Sequence, residues 1–380
     1  MAYYFVLFLV TAICAWTHTG YTKVSKPFFF IFCLCIGLFV GLADMLGGYD
    51  RYIYCEVFQE MHTSITNGVL FDQKFLQFFG KEPIFGLIND AIALFTPNRY
   101  IFILVYTLLL YIIYAINFYK YTKNPFFALL IFEGLMFFFT FTYLRQVLAA
   151  GIIWFAVDYV VQRRFKYYLL LVIIATLIHN SAAYMLILYF IPRQKFSKDK
   201  IILFMTVLLL IGVSGAPKYV FALSGDAMNN ARIAGYANTA EYGFRIEYVI
   251  ESILFLLIFL KNYHKIDKDT YSLTMSNVYL MFCGVLLFFC RSSDGGRISW
   301  YCLIGIIVII ENLCRPKSAV QLKGFITVMC FVLFYRILSA WGILLYPYKT
   351  FLTPGIRQGD FIEEMYEYDH AYDNDKLYNL

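Results

Sequence analysis

Between residues 129 and 161 the chain carries three charges, Glu133, Arg145 and Asp158. An arginine near hydrocarbon costs about 2.5–3.5 kcal/mol on insertion scales, so such a residue usually faces a bundle interior or an aqueous cavity and marks a functional site. With Gln146 beside it, Arg145 could hold an anionic group such as phosphate at the outer membrane surface, because its planar fork donates bidentately and stays charged. The plainer alternative is an arginine that snorkels to water or pairs structurally with Glu133. Ala149, Ala150 and Gly151 follow it and permit close helix packing.

Further polar residues interrupt apolar sequence in the same way. Arg291 and Arg297 flank SSDGG. Gly295 and Gly296 allow tight turns, and N–H groups at the start of a helix over 298–311 could complete a second anion clamp. The alternative is an ordinary polar loop in which Asp294 neutralises an arginine. His179, in ATLIHNSAAYML, could be a general base, a hydrogen-bond donor to substrate or a proton relay. Otherwise it is a buried imidazole satisfied by Asn180, Ser181 or a carbonyl. Asp50, in GGYDRYIY, could deprotonate an acceptor hydroxyl or bind a sugar, with Tyr49, Tyr52 and Tyr54 offering stacking faces; or it is a loop aspartate, exposed or paired with Arg51. Glu82 precedes Pro83 and is a similar glycan-binding candidate that would otherwise cap the next helix. No Gly-rich phosphate loop, nucleophile elbow or Cys/His metal spacing appears, and neither a metal nor another cofactor is expected.

The elements that position these residues are read from composition. The 380 residues are 61% hydrophobic and 15% charged, with a mean hydropathy of +0.67; soluble domains run near 25% charged. Apolar runs recur at the roughly 20-residue scale of membrane spans. Many of the 33 Tyr lie near run ends, as an interfacial belt requires. The net charge of +6 is spread over short loops, which reads as topology bias and not as a nucleic-acid footprint. The nine Cys sit mostly in apolar runs and read as small hydrophobes.

Six loops are basic, at 17–26, 119–124, 163–166, 193–200, 261–268 and 315–323. For all six to be cytoplasmic, two runs must not cross, and 83–96 and 167–191 are the best candidates, a single crossing by 167–191 being the alternative. The second has basic clusters at both ends, and each half is too short for a ~30 Å core, so a helical hairpin with His179 near its tip is expected. The expectation is an all-α polytopic integral membrane protein with about 10–12 transmembrane helices, some re-entrant or partial. Residues 1–357 form one helical domain and 358–380 an acidic, Tyr-rich tail. The segments 44–82, 216–244 and 291–297 read as outer loops.

The order GYDRYIY, EPIFGLIN, YLRQVLAAGIIWFA, IATLIHNSAAYML, GRISWY and LYPYK, spanning residues 48 to 349, resembles the EpsG-like family of Wzy-type bacterial polysaccharide polymerases. The acidic tail departs from that pattern. The resemblance implies a GT-C-like helical fold in the bacterial cytoplasmic membrane, with the active site on the outer side. It implies a metal-independent transfer of a growing glycan from polyprenyl pyrophosphate to a sugar hydroxyl of a new lipid-linked repeat unit. Partners are then the polyprenyl-pyrophosphate-linked oligosaccharide donor and acceptor, the lipid bilayer, and the flippase and chain-length regulator of the same pathway. In that chemistry Arg145, Arg291 and Arg297 bind pyrophosphate, Asp50 or His179 is the base, and Tyr49, Tyr54, Glu82 and Gln146 contact glycan. Rival readings are a transporter or flippase of lipid-linked oligosaccharide, a multi-span acyltransferase, and a scaffold subunit.

Overall fold

The computed structural model describes residues 1–18, 24–44, 49–227, 243–346 and 348–353, with single residues at 235 and 377. The helices run in order as α1 (Ala2–Thr17), α2 (Lys26–Leu42), α3 (Tyr49–Thr66), α4 (Gln73–Phe79), α5 (Pro83–Ala93), α6 (Arg99–Tyr121), α7 (Pro125–Leu135), α8 (Leu144–Val161) and α9 (Phe165–Thr176). There follow α10 (Lys198–Val213), α11 (Lys218–Ala227), α12 (Ile246–Asn262), α13 (Thr270–Phe288), α14 (Leu303–Cys314) and α15 (Val320–Ala340). Short 3-10 segments interrupt them at Phe137–Phe141, Asn180–Phe190 and Arg297–Cys302. Among the described residues the only extended pairing is an isolated antiparallel bridge between Ala43 and Thr350. The protein is an all-α, polytopic membrane protein.

Five stretches among the described residues are long and apolar enough to cross a bilayer: Arg99–Tyr121, Leu144–Val161, Thr270–Phe288, Asp294–Cys314 and Lys317–Ala340. A sixth arises if α10 and α11, bent by 78°, are one span. Other apolar runs fold into helices of 10–17 residues, among them α1, α2, α5, α7 and α9. The cause is local. Pro83 and Pro125 start helices at the first position, where a missing N–H costs nothing, and 3-10 turns cut the runs in which they stand. At 1.5 Å per residue, α5 reaches only ~16 Å and cannot cross, as expected for 83–96.

Contacts cluster into two compact units: Met1–Phe155, Leu170–Ala183 and Cys314–Leu380, and Ala156–Leu169 with Tyr184–Leu313. The first is built around α6. Tyr114 and Tyr121 donate from α6 to the carbonyls of Val147 (2.6 Å) and Trp154 (3.0 Å), and Asn117 to that of Gly151 (3.1 Å). These bonds fix the height of α8 along α6. On the other side, Thr11 of α1 donates to Glu133 of α7 at 2.7 Å. The expected outer loop 44–82 is largely helical: Asp72 caps α4 by accepting from the Lys74 N–H at 2.7 Å, and the Lys74 ammonium ties α4 to Glu60 (2.8 Å) and Glu56 (3.3 Å) of α3.

In the second unit α10, α12 and α13 pack together, and α13 lies against the 3-10 segment Arg297–Cys302. Gly305 of α14 permits a close approach: a Cβ there would stand 2.5 Å from the Tyr279 nitrogen. The expected hairpin is present. Residues 163–168 run back along 185–191, with Arg163 donating to the Tyr189 and Ile191 carbonyls and Tyr168 to that of Met185; the turn between α9 and the 3-10 segment, which carries His179, belongs to the first unit.

Candidate functional site

Glu82 is the centre of the site. It takes the N-cap position of α5 but makes no side-chain cap; its carboxylate is used elsewhere. One oxygen pairs with the Arg145 guanidinium. The other accepts from the Asn180 backbone N–H at 3.1 Å and lies 3.3 Å from His179 Nδ1. The Ile84 N–H donates to the Leu177 carbonyl at 3.0 Å, so the start of α5 is bonded to the hairpin turn by backbone as well. Glu82 is 3% exposed. Burial pushes its carboxyl up, but Arg145 and His179 more than reverse this and hold it down at about 2. The carboxylate is therefore ionised at neutral pH.

Arg145 is the second residue of α8, where a cation opposes the helix dipole. The compensation comes from outside its own helix. Besides Glu82, the guanidinium donates through Nε to the Tyr54 hydroxyl (3.3 Å) and sits 4.2 Å from the centre of the Phe79 ring, with Tyr54 and Phe85 at 5.3 and 5.6 Å. Aromatic faces attract a desolvated cation strongly. Gly86 allows this wall to close: a Cβ there would meet the Phe75 ring at 2.6 Å. Phe79 and Phe85 carried no sequence signal separating them from ordinary core aromatics.

The Tyr54 hydroxyl, which burial keeps protonated, donates onward to Asp50 Oδ2 at 3.4 Å. Asp50 is half-buried in the first turn of α3, and its backbone N–H donates to Thr142 Oγ1 at 3.0 Å. Arg51 turns away from Asp50: its guanidinium donates to the carbonyls of Val40, Gly41 and Ala43, with Ala43 nearest at 2.8 Å, and closes the C-terminus of α2. A chain of polar contacts thus runs Asp50–Tyr54–Arg145–Glu82–His179. It joins both candidate bases to the candidate cation. His179 keeps 23% of its side chain exposed, whereas Glu82, Arg145 and Tyr54 are enclosed.

Of the other expected residues, Gln146 is buried next to Arg145 in sequence. The Tyr54 ring packs between Phe79 and Phe85 at 5.8 and 5.6 Å. The Tyr49 side chain, the tail 358–380 apart from Leu377, and residues 228–242 apart from Gly235 lie outside the described residues. Arg145 does not pair with Glu133, the nearest acid before it; Glu133 takes its hydrogen bond from Thr11.

Arg291 and Arg297 belong to the second unit. Residues Ser293–Gly296 form one helical turn capped by Ser292, which accepts from the Gly295 N–H at 3.1 Å. The helix therefore begins before Arg297, not after it. Arg297 pairs with Asp294 three residues earlier. Arg291 is exposed and donates to the Val213 carbonyl at the end of α10 (3.1 Å).

A match to the EpsG family covers residues 26–350. Neither a curated protein nor a solved structure matches the chain.

Proposed function

The chain belongs to the EpsG family, and on that premise we propose that it polymerises a bacterial surface polysaccharide, such as an exopolysaccharide, capsule or O-antigen, from lipid-linked repeat units at the outer face of the cytoplasmic membrane. The single observation that carries this reading is the buried Arg145–Glu82 pair with the partly exposed His179 against it, assembled from three distant stretches of a membrane protein.

The reaction breaks the anomeric carbon–oxygen bond to polyprenyl pyrophosphate and forms a bond from that carbon to a sugar hydroxyl of the incoming unit. The pyrophosphate leaves with the electron pair, and the hydroxyl proton must go to a base. His179 suits that role better than Asp50. Its Nδ1 lies 3.3 Å from an ionised Glu82, which favours the imidazolium that forms when the ring takes the acceptor proton. Glu82 is then an orienting residue, and Arg145 fixes it while adding positive potential at the start of α8. Asp50 and the GYDRYIY tyrosines contact the acceptor glycan, and in the second unit Arg291 and Arg297 are contacts for an anionic group. Direct displacement inverts the anomeric centre and needs no metal.

The test is transfer by purified protein in nanodiscs, given the host's polyprenyl-pyrophosphate-linked repeat unit with EDTA present. A glycan ladder is expected from the native chain. His179→Gln should abolish the ladder while leaving thermal unfolding unchanged. A full ladder from His179→Gln, or retention of donor configuration in the product, would overturn the base assignment or the single displacement respectively. Folded native protein that makes no ladder but moves the lipid-linked unit across liposomes would favour a flippase.

A further inference from the structure

Within the second unit lies an apolar cavity of about 680 Å³ between the 3-10 segment Asn180–Phe190, α10 and α13. Its volume falls in the range of small-molecule sites. It runs along α10 from Lys200 to Leu208 and along α13 from Asn277 to Phe288, a depth of roughly 12–16 Å by helical rise. Its walls are aliphatic and aromatic; Lys200 and Asn277 are the two polar residues of the lining, and both stand at the same end. Ile187, Phe190 and Phe204 of the wall are 63, 67 and 59% exposed, which suits a surface bathed by lipid chains.

The polar end is strongly cationic. Asn277 donates to the carbonyls of Pro192 (2.7 Å) and Gln194 (3.1 Å), and the Lys195 ammonium donates to the carbonyl of Tyr263 (2.9 Å). These bonds gather residues 192–200 and 261–269 at the mouth. The two loops carry seven lysines and arginines (four in 193–200, three in 261–269) against three aspartates. Lys195 is engaged, but among the described residues the exposed Lys200 ammonium has no ion-pair or hydrogen-bond partner.

We infer that this cavity is a binding site for an anionic phospholipid of the leaflet on the basic-loop side, with an acyl chain lying along α10 and α13 and the phosphate held by Lys200. An apolar slot alone would accept any lipid chain. The uncommitted lysine at its mouth, inside a basic rim, selects a negatively charged headgroup. The acyl chain in turn covers apolar side chains that stay exposed among the described residues.

Native mass spectrometry of the full chain, released from detergent after exchange with defined lipids, tests this. Phosphatidylglycerol should be retained at least tenfold better than phosphatidylcholine with the same acyl chains. Lys200→Glu should remove that preference, whereas Lys198→Glu, an equal charge change at a residue that does not line the cavity, should keep it. Met281→Trp, which fills the slot, should lower retention of both lipids. Equal retention of the two lipids by the native chain overturns the inference. So does equal loss in both lysine variants, which would mean that the rim acts only as diffuse charge, and so does preferential capture of polyprenyl phosphate over phosphatidylglycerol.

Discussion

Arg145 in the first unit and Arg297 in the second are both arginines next to apolar sequence, and they obtain their counter-ions by different routes. Arg297 pairs with Asp294 across one helical turn, and both side chains stay about a fifth exposed, at 22 and 23%. Arg145 pairs with Glu82, 63 residues away, and both are nearly sealed, at 7 and 5%. A local half-exposed pair can open to a ligand at small cost. A sealed pair cannot lose one member without stranding the other. The first arrangement suits a contact that exchanges partners; the second suits a fixed element that positions its neighbours.

Truncation should separate the two most sharply. Arg145→Ala leaves buried Glu82 without its guanidinium partner, and about 3–5 kcal/mol of stability should be lost, seen as a large fall in the thermal unfolding temperature in detergent together with loss of transfer. Adding Glu82→Gln should restore part of the stability but no transfer. An Arg145→Ala protein as stable as the native one would reduce the pair to the status of its exposed counterpart.

Acid should weaken the sealed pair in a defined window. The folded Glu82 carboxyl titrates at about 2, below its ordinary value of 4.5. The stability it contributes is therefore fully present above pH 4.5 and is lost as pH falls from 4.5 toward 2. Unfolding followed across that range should show a steeper decline for the native chain than for Glu82→Gln; parallel curves would mean that the carboxylate is not held ionised by its partners.

Tyr54→Phe is a finer probe. It removes the hydroxyl between Arg145 and Asp50 and should cost about 1 kcal/mol, with a partial fall in transfer. A loss as large as that of Arg145→Ala would make Tyr54, and not Glu82, the main support of the guanidinium. The smallest effect on folding is expected from Arg297→Ala, about 0–1 kcal/mol, while transfer falls because an anion contact of the second unit is gone. Unchanged transfer in that variant would remove Arg297 from the proposed site.

Much of this was legible in the chain. Arg145 announced itself by charge in an apolar run, and the basic clusters on both sides of residues 167–191 pointed to the hairpin whose turn carries His179. Other readings misled because they relied on proximity in sequence. Glu133 is twelve residues from Arg145, yet bonds to Thr11. Arg51 adjoins Asp50, yet closes α2. The apolar run at 26–42 is 17 residues long and the run at 125–135 only 11, since helix starts at Pro125 and 3-10 turns after Leu135 are decided by local backbone geometry that hydropathy does not register.

The sequence by itself determined the solvent. Apolar runs of membrane scale with few charges leave helices as the one way to satisfy the backbone in lipid, and they mark each internal charge as costly. It also determined which side chains could do acid–base and anion chemistry. Only the tertiary structure decided which charge answers which. A carboxylate and a guanidinium attract over any contact that the fold supplies, and in low dielectric that contact is strong whatever the distance along the chain. Which of Glu82, Glu133 and Asp50 meets Arg145 depends on how α3, α5, α7 and α8 are stacked, and packing of side chains sets that stacking.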